Sequence, residues 1–543
     1  MFNQPVPEDR FFGRSDLLGL LQKRVHALAD GYRQNLALLG PPLVGKTSVI
    51  CRALDAAPAH AILPLYIEVR PESFPEFAQR FLAAGIAQAL GTAPSQPSHD
   101  TLELLLRDAA ERLPQTTQQA QRLRTWVDKG RQTEAFGGLF DWLQTMSQET
   151  GRPVLVVLDE FQGLVDFEIR HALAELGKRM MVEKRVMYLM ASSQPAVART
   201  MLQEQLHLLF GHFEIIDVAP FDAAESQAFL RRQLEGLELP ASIAAFLASW
   251  TGGAPFHLDY FCRSLAQIAR AGGGAAITPE TLYTAALQLL GDGHGVFHRR
   301  WQEQLETLEG TQRTTALAAL VALTHSRLTV RELSRRCQRS PQETHRIANR
   351  LVELHLVTRR GDCLAIDDPL FRFWLTAVHE PLRWSPAPNC GVLARRFVLD
   401  VEAAFLRHQR EQERAPVERL IELFHAFQDD RVEIDQKLRQ LPRFIDVHQN
   451  GTHVPGMHIY ARTRQHQWVC CVATGRPATE GDITAFQQAC QALEPKPQRK
   501  IFVALDGLDP NATLLAKEAR MWTWDRQTVN ALLGLYGKQP IVP

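Results

Sequence analysis

The sequence has no net charge. Its 543 residues contain 60 lysines and arginines and 60 aspartates and glutamates. Such a chain has no overall field that attracts a polyanion, so any surface for nucleic acid must come from local clustering of basic residues.

Paired cysteines and long apolar runs are also missing. The eight cysteines include no CxxC pair, and several lie at apolar positions. They are typical of buried, reduced thiols in a cytoplasmic protein. No run of about 18 apolar residues occurs, and charged residues precede the first long apolar run, so we expect no signal peptide and no membrane span.

The length is enough for about three or four domains. The order of motifs and of strand and helix patterns predicts five segments: a core of alternating strands and helices, a helical lid, a winged helix-turn-helix, a linker with helices, and a C-terminal α/β domain. They are residues 1–220, 221–310, 311–380, 381–430 and 431–543.

A glycine-rich loop follows the apolar run at residues 35–39. Its glycines let successive backbone N–H groups face one anion, Lys46 can reach the β- and γ-phosphates, and the Thr47 hydroxyl can ligand Mg²⁺. We predict a phosphate-binding loop rather than an ordinary glycine turn, with Lys46 also acting in catalysis. The residues expected to contact the nucleotide are Gly40, Pro41, Pro42, Val44, Gly45, Lys46, Thr47 and Ser48.

Two adjacent carboxylates end the apolar strand at residues 154–158. Asp159 is expected to hold Mg²⁺ together with Thr47, and Glu160 to orient or deprotonate the attacking water. An acidic helix cap after a core strand is the alternative. The complete phosphate loop upstream favours the catalytic interpretation, with ATP and Mg²⁺ as the ligands.

Strands alternate with helices up to residue 218, which predicts an α/β fold in which helices cover a parallel sheet, as in P-loop NTPases. The fourth strand, residues 185–191, is followed by three polar residues, Ser192, Ser193 and Gln194. Ser193 or Gln194 is a candidate sensor of the γ-phosphate, and a simple polar turn before a helix is the alternative.

Helical patterns from residue 221 to about 308 indicate a lid, which is broken at Gly252-Gly253-Ala254-Pro255. Three short helices, a turn and a strand pair then indicate a winged helix-turn-helix. Ser340 is a fitting N-cap for the third helix, because Pro341 follows at the first helical position and Glu343 lies three residues beyond the cap.

Basic residues cluster in this winged segment, where nine arginines and three acidic residues lie between positions 327 and 360. The third helix is expected to present Thr344, His345, Arg346, Asn349 and Arg350. Arg346, Asn349, Arg350, Arg359 and Arg360 are therefore predicted to contact double-stranded DNA. The alternatives are a regulatory module packed on the nucleotide site and a solvated basic face.

Four segments resemble one family: FFGRSDLL at 11–18, DEFQ at 159–162, GGAPFHL at 252–258 and DDPLFRFW at 367–374. They resemble motifs of the archaeal-type ATPases, a branch of the STAND class of P-loop NTPases. The resemblance implies that Phe12, Gly13 and Arg14 lie at the adenine end and that Pro255 contacts the nucleotide. His257 is a possible sensor, although a structural histidine is the commoner role.

The strand and helix order after residue 431 resembles the restriction-endonuclease-like domain that often ends archaeal-type ATPases. The metal-binding positions of that fold fall on His458, Cys471 and Ala473, which are poor ligands for Mg²⁺. Asp446 and Glu480 are nearby acids that could substitute. We expect a degenerate domain that does not cut DNA and serves as a scaffold for DNA or a partner.

These features predict an ATP-binding, ATP-hydrolysing molecular switch that contacts DNA or a partner through its winged helix and C-terminal domain. Closure of the lid is expected to drive nucleotide-dependent self-association. Two alternatives stay open: a DNA-binding replication or transposition factor that ATP loads, and an ATP-dependent nuclease. Salt-dependent duplex binding would favour the first alternative, and Mg²⁺-dependent nicking would favour the second.

Overall fold

The computed structural model describes residues 10–58, 60–92, 99–205, 213–308, 310–384, 390–434, 437–449 and 459–541. They form two compact units, Met1–Pro220 and Phe221–Pro543. The division at residue 220 coincides with the predicted end of the ATPase core. The further boundaries proposed inside the second unit stay predictions.

Unit one is built on a sheet of five parallel strands in the order β2-β3-β4-β1-β5. The strands are β1 (Asn35–Leu39), β2 (Leu63–Glu68), β3 (Val154–Asp159), β4 (Val186–Ser192) and β5 (Phe213–Asp217). Every residue of β1, β3 and β4 is buried, as their continuous apolar runs predict for strands covered on both faces. The predicted parallel α/β fold is confirmed.

Helices cover both faces of this sheet. They are α1 (Ser15–Ala29), α2 (Lys46–Asp55), α3 (Phe74–Leu90), α4 (His99–Ala109), α5 (Pro114–Asp128), α6 (Gln132–Thr150), α7 (Ala172–Val182) and α8 (Pro195–Thr200). Helices α4 and α5 contribute Leu102, Leu106 and Leu123 to the main hydrophobic cluster of the unit.

Unit two begins with helices in the predicted lid: α9 (Ala223–Gln233), α10 (Ala241–Trp250), α11 (Pro255–Ala271), α12 (Pro279–Ala286) and α13 (Val296–Glu306). The Gly252-Gly253 break is a fixed turn. Gly253 has φ +70° and its carbonyl accepts a hydrogen bond of 2.9 Å from the Phe221 N–H. A Cβ on Gly253 would collide with the Phe221 carbonyl oxygen, so only glycine fits.

Three helices and three short strands follow: α14 (Gly310–His325), β6 (Leu328–Thr329), α15 (Val330–Cys337), α16 (Pro341–Glu353), β7 (Thr358–Arg360) and β8 (Cys363–Ala365). The strands pair antiparallel in the order β6-β8-β7. The Ser340 hydroxyl accepts a hydrogen bond from the Glu343 N–H at 3.2 Å, so the predicted cap of the third helix is present.

The DDPLFRFW segment forms α17 (Pro369–Trp374), which joins this module to the lid. Trp374 and Phe371 lie with ring centroids 5.5 and 5.4 Å from that of Trp301 on α13. The helices α18 (Glu380–Trp384), α19 (Cys390–Gln412) and α20 (Pro416–His425) then lead to a hairpin of β9 (Asp430–Ile434) and β10 (Lys437–Leu441).

The C-terminal sheet has the order β11-β12-β13-β14-β15, antiparallel at first and parallel from β13 onward. Its elements are β11 (Asp446–Gln449), β12 (Ile459–Arg462), β13 (Gln467–Ala473), α21 (Glu480–Gln491), β14 (Arg499–Ala504), α22 (Pro510–Glu518), β15 (Trp522–Asp525) and α23 (Arg526–Leu535). Among the helices described in the two units, none is long and apolar enough to cross a membrane.

Candidate nucleotide site and basic surface

The phosphate loop connects buried β1 to α2 at the carboxyl edge of the first sheet. Gly40 packs so closely on Val218 that a Cβ would strike the Val218 carbonyl oxygen, and Gly45 has φ +91°. Lys46 is 5% exposed, and its ammonium donates to the carbonyls of Gly40 and Pro41, both at 2.9 Å. Burial lowers the pKa of Lys46, and the charges of Glu160 and Asp159 offset only part of that effect.

Asp159 ends β3 directly beside the loop. Its Oδ2 accepts hydrogen bonds from the Thr47 hydroxyl at 2.7 Å and from the Tyr66 hydroxyl at 2.8 Å. Burial raises the pKa of Asp159, although these two hydrogen bonds oppose the rise. A hydroxyl and a carboxylate in contact are oxygen donors that suit Mg²⁺, so the residues present fit the predicted metal.

Glu160 is held in one orientation by several donors. Its Oε2 accepts hydrogen bonds from the Ser193 hydroxyl at 2.7 Å, the Ser193 N–H at 3.0 Å and the Gln162 amide at 2.6 Å. Burial alone would raise the pKa of Glu160, but these bonds and the charge of Lys46 outweigh it and lower the pKa. The carboxylate therefore stays ionised at neutral pH.

The FFGRSDLL segment at residues 11–18 lies next to the phosphate loop. Gly13 and Arg14 have φ of +67° and +59°, and the Arg14 guanidinium donates to the carbonyl of Ala219. Ala219 follows Val218, which packs on Gly40. Phe12, Gly13 and Arg14 are thus brought to the same sheet edge as the loop.

Sequence reasoning missed Tyr66 and assigned no role to Gln162. Tyr66 lies near the end of β2, two residues before Glu68, which is paired with Asp159 of β3. Finding it required the order of the strands, because only adjacency of β2 and β3 brings its hydroxyl to the carboxylate. Gln162 is part of the DEFQ tetrad, and its contact with Glu160 supplies a physical role for that residue.

One comparison with known proteins bears on the first unit. Residues 10–189 match the AAA ATPase domain family. No curated protein matches the sequence. The family match supports a P-loop ATPase that binds nucleotide through the first unit.

Solved structures of similar architecture include the Walker-type ATPase PABY2304 of Pyrococcus abyssi, with 16% identity and a TM-score of 0.45 over 69% of this chain and 99% of that one. The Aeropyrum pernix ORC2 protein in ADPNP–ADP complexes has 12% identity and a TM-score of 0.43, and the match covers 75% of this chain and 97% of that one. The Aeropyrum pernix ORC1 protein in complex with DNA has 17% identity and a TM-score of 0.39, and the match covers 70% of this chain and 97% of that one.

Two lid residues predicted for the nucleotide site lie in unit two. Pro255 is the first residue of α11. His257 is 2% exposed, its Nδ1 lies 3.4 Å from the Thr251 carbonyl, and its Nε2 lies 3.8 Å from Asp368 Oδ2. Burial lowers the pKa of His257, which suits a structural histidine in an aromatic cluster. The role of Pro255 at the nucleotide stays a prediction.

The basic residues of α16 form one exposed face. Arg346, Asn349 and Arg350 are exposed on it, and exposed Arg359 of β7 donates to Asn349 Oδ1 at 2.9 Å. Thr344 was expected on this face, and that expectation is wrong. It is 2% exposed, because it lies on the inner side of the helix with Ile347, Ala348 and Leu351. The side chain of Arg360 lies outside the described part of the structure.

The turn between β7 and β8 is packed against β9 rather than free. Gly361 has φ +65°, and a Cβ there would lie 2.5 Å from the Arg431 carbonyl oxygen. The Arg327 guanidinium pairs with Asp430, which also accepts a 2.6 Å hydrogen bond from the Tyr536 hydroxyl. The face of α16 with Arg359 is therefore one exposed basic surface of this segment. Further exposed arginines lie on and just after α15: Arg331, Arg335, Arg336 and Arg339.

The acids proposed for a relocated nuclease site do not come together. Asp446 of β11 lies opposite Arg462 of β12 in the strand register, at the end of the sheet where β13 begins. Cys471 and Ala473 lie at the other end, where β13 ends. Glu480 starts α21, beyond that second end. The described residues contain no group of three or more His, Cys, Asp and Glu side chains that could hold a metal ion. His458 lies outside the described residues.

Proposed function

We propose that this protein binds ATP with Mg²⁺ at the carboxyl edge of its first sheet, hydrolyses it, and acts as a molecular switch. The observation that carries the proposal is the meeting of Lys46, Thr47, Asp159 and Glu160 from two neighbouring segments of the AAA ATPase match. Resemblance of the opening, DEFQ, lid and DDPLFRFW segments to archaeal-type ATPases supports the STAND class.

Each residue has a separate part in the proposed reaction. Lys46 is placed to exchange its loop carbonyls for the β- and γ-phosphates, and Thr47 and Asp159 would hold Mg²⁺, which neutralises phosphate charge when bound. Glu160 is ionised and oriented by Ser193, so it can align the attacking water and accept its proton. Phe12, Gly13, Arg14 and the loop residues Pro41, Pro42, Val44 and Ser48 are proposed to enclose the nucleotide.

Two substitutions test this reaction by arresting it at different steps. Lys46→Ala removes the charge that meets the phosphates, so ATP binding and turnover should both be lost. Glu160→Gln keeps the shape but not the base, so ATP should bind and turnover should fall by about 100-fold or more. Lys129→Ala, at an exposed lysine of the same unit, is the control. Wild-type turnover in Glu160→Gln would remove Glu160 from catalysis, and tight ATP binding by Lys46→Ala would refute the phosphate loop.

A second proposed function is contact with double-stranded DNA. The helix and strand order of residues 310–365 supports a winged helix-turn-helix, and its α16 exposes Arg346 and Arg350 on one face. Arg346→Glu with Arg350→Glu should abolish duplex binding, reduce its salt dependence and leave ATP affinity unchanged. Arg107→Glu with Arg112→Glu, at exposed arginines of unit one outside the basic cluster, is the matched control. If the α16 variant binds duplex DNA like wild type, the DNA proposal is refuted and this segment serves in packing instead.

The sheet order of the C-terminal domain supports a restriction-endonuclease-like fold without its metal ligands, and we propose that it is a scaffold. We also propose that lid closure, with Pro255 at the nucleotide, changes self-association. The ATP-bound Glu160→Gln protein should then have a larger mass than wild type with ADP, because the ligand selects one of two states. Equal masses in the two states would refute the proposal that nucleotide binding changes self-association.

A further inference from the structure

Tyr66 of β2 has no part in the reaction proposed for the nucleotide site, yet it contacts a residue that has one. Its ring packs on the hydrophobic cluster that includes Ile50 of α2 and Val157 of β3. Its hydroxyl donates to Asp159 Oδ2 at 2.8 Å. The core therefore holds the ring, and the hydroxyl lies at the carboxyl edge of the sheet beside a proposed ligand of Mg²⁺.

The protein itself uses most of the acceptor capacity of the Asp159 carboxylate. A carboxylate has about four acceptor positions, two on each oxygen. Oδ2 accepts from the hydroxyls of Thr47 and Tyr66, at 2.7 and 2.8 Å, and Oδ1 accepts from the Glu160 N–H at 3.0 Å. These contacts between described residues fill both positions of Oδ2 and leave one position on Oδ1. Asp159 thus has one oxygen to offer to a cation or to a water molecule bound to it.

The number of oxygens that a carboxylate offers affects which cation it suits. Mg²⁺ requires a near-ideal octahedron of oxygens at about 2.0–2.1 Å. Ca²⁺ takes about six to eight oxygens at longer distances and accepts both oxygens of one carboxylate. A carboxylate that is held in place and limited to one oxygen therefore suits Mg²⁺ better than Ca²⁺.

We propose that Tyr66 is a positioning residue that limits Asp159 to one free oxygen and thereby makes the nucleotide site selective for Mg²⁺ over Ca²⁺. The inference rests on the proposed nucleotide site and adds the residue that sets its choice of metal. The Tyr66 hydroxyl suits this role because it is a neutral donor, which fills an acceptor position and leaves the negative charge of Asp159 for the cation. Thr47 does not suffice, since it is itself proposed to ligand the metal.

Tyr66→Phe tests the inference, because it removes the hydroxyl and keeps the ring in the core. The affinity of the full chain for ATP is measured by equilibrium binding in excess Mg²⁺, in excess Ca²⁺ and with a chelator. Wild type should bind ATP more tightly with Mg²⁺ than with Ca²⁺. In Tyr66→Phe the affinity with Mg²⁺ should fall by about tenfold, whereas the affinities with Ca²⁺ and with the chelator should not fall.

Tyr188→Phe is the matched control. Tyr188 lies near the start of β4 in the same sheet, and its hydroxyl donates to another buried carboxylate, that of Glu183, at 2.7 Å. Its loss should lower the free energy of unfolding and leave the ratio of the Mg²⁺ and Ca²⁺ affinities at the wild-type value. Asp159→Asn with Tyr66→Phe should bind ATP like Asp159→Asn alone, because Tyr66 acts through that carboxylate.

Three results would overturn the inference and leave the proposed nucleotide site standing. They are an unchanged ratio of affinities in Tyr66→Phe, an equal change in Tyr188→Phe, and a further loss of affinity in the double variant. A wild-type affinity for ATP that does not depend on Mg²⁺ would instead overturn the proposed metal site, and this inference with it. Failure of the inference alone is thus distinguishable from failure of the proposed function.

Discussion

The two large sheets of this protein both place carboxylates at the ends of parallel strands, and the two edges differ in what those carboxylates contact. At the first edge, Asp159 and Glu160 accept hydrogen bonds from hydroxyls, an amide and backbone N–H groups. At the second edge, Asp506 accepts from the Arg526 guanidinium and from the Gly475 N–H at 2.6 Å. Beside it, Asp482 pairs with a guanidinium at 2.8 Å.

The comparison shows that position at a strand end does not by itself make a site. Neutral donors orient a carboxylate and leave its negative charge for a cation, whereas a guanidinium neutralises that charge. The bond from Arg476, with backbone and hydroxyl donors of Thr479, lowers the pKa of Asp482 to about 2. The carboxylates of the first edge therefore keep a charge that a cation could meet, whereas those of the second edge are neutralised by arginines of the protein itself.

The largest effect should come from Asp159→Asn. The amide cannot hold Mg²⁺ as the carboxylate does, so turnover should fall by about 100-fold or more and ATP binding should lose its dependence on Mg²⁺. Nucleotide affinity measured with Mg²⁺ and with a chelator would show this. The matched variant at the second edge, Asp506→Asn, should change neither quantity. If Asp159→Asn turns over ATP at the wild-type rate with Mg²⁺, Asp159 does not hold the metal, and the proposed difference between the two sheet edges is refuted.

A smaller effect is expected from Ser193→Ala, which removes a hydrogen bond to the ionised form of Glu160. Because the pKa of Glu160 is lowered in wild type, turnover should be flat near neutral pH and should decline only as the pH falls into the acidic range. The variant should raise that pKa, move the acidic decline to higher pH and lower kcat by about tenfold. Profiles of kcat against pH test this.

The control for that profile is Ser147→Ala, whose hydroxyl donates to the Arg152 carbonyl away from the site. Its acidic decline should coincide with that of wild type. If Ser193→Ala also leaves the decline in place, Ser193 does not position Glu160.

At the second edge we expect an effect on stability alone. Arg526→Ala removes the donor to Asp506 and to the Leu505 carbonyl. Since both charged side chains are partly exposed, the free energy of unfolding should fall by only about 1 kcal/mol, with ATP turnover unchanged. Urea unfolding measures the loss, and Arg464→Ala in an exposed turn should stay within about 0.5 kcal/mol of wild type. A loss of turnover in Arg526→Ala would give this edge a role in the reaction.

The smallest effect concerns DNA cleavage, where we expect none. Supercoiled plasmid should stay intact with the full chain in Mg²⁺ or Mn²⁺, because Asp446 and Glu480 lie at opposite ends of the sheet. Gel electrophoresis after long incubation is the measurement. Nicking that disappears on Asp446→Ala or Glu480→Ala would reveal a metal site in this domain.

Much of the fold could be predicted because buried strands and helix ends have recognisable local sequence patterns. The strands β1, β3 and β4 are continuous apolar runs, and the start of α16 was marked by Ser340, Pro341 and Glu343. The phosphate loop and the carboxylates after β3 were also local patterns. These features depend on neighbours in sequence, so no knowledge of the tertiary arrangement was needed.

What could not be predicted depends on contacts between distant segments. Tyr66 reaches Asp159 only because β2 and β3 are adjacent, and Glu160 meets Ser193 across 33 residues of sequence. Thr344 was placed outside because of its polar side chain. Its hydroxyl donates to the Ser340 carbonyl at 2.9 Å, and this bond lets it face inward at little cost.

The contact of the β7–β8 turn and Arg327 with β9 decides where this chain can be divided. Arg327 and Asp430 have side chains only 7% exposed, and 103 residues separate them. A fragment that ends after β8 would retain the arginine without its carboxylate, a loss that costs about 3–5 kcal/mol for a buried pair. Such a fragment would expose apolar residues of β8 as well. The shortest portion of unit two that can be expected to fold intact therefore extends past Tyr536.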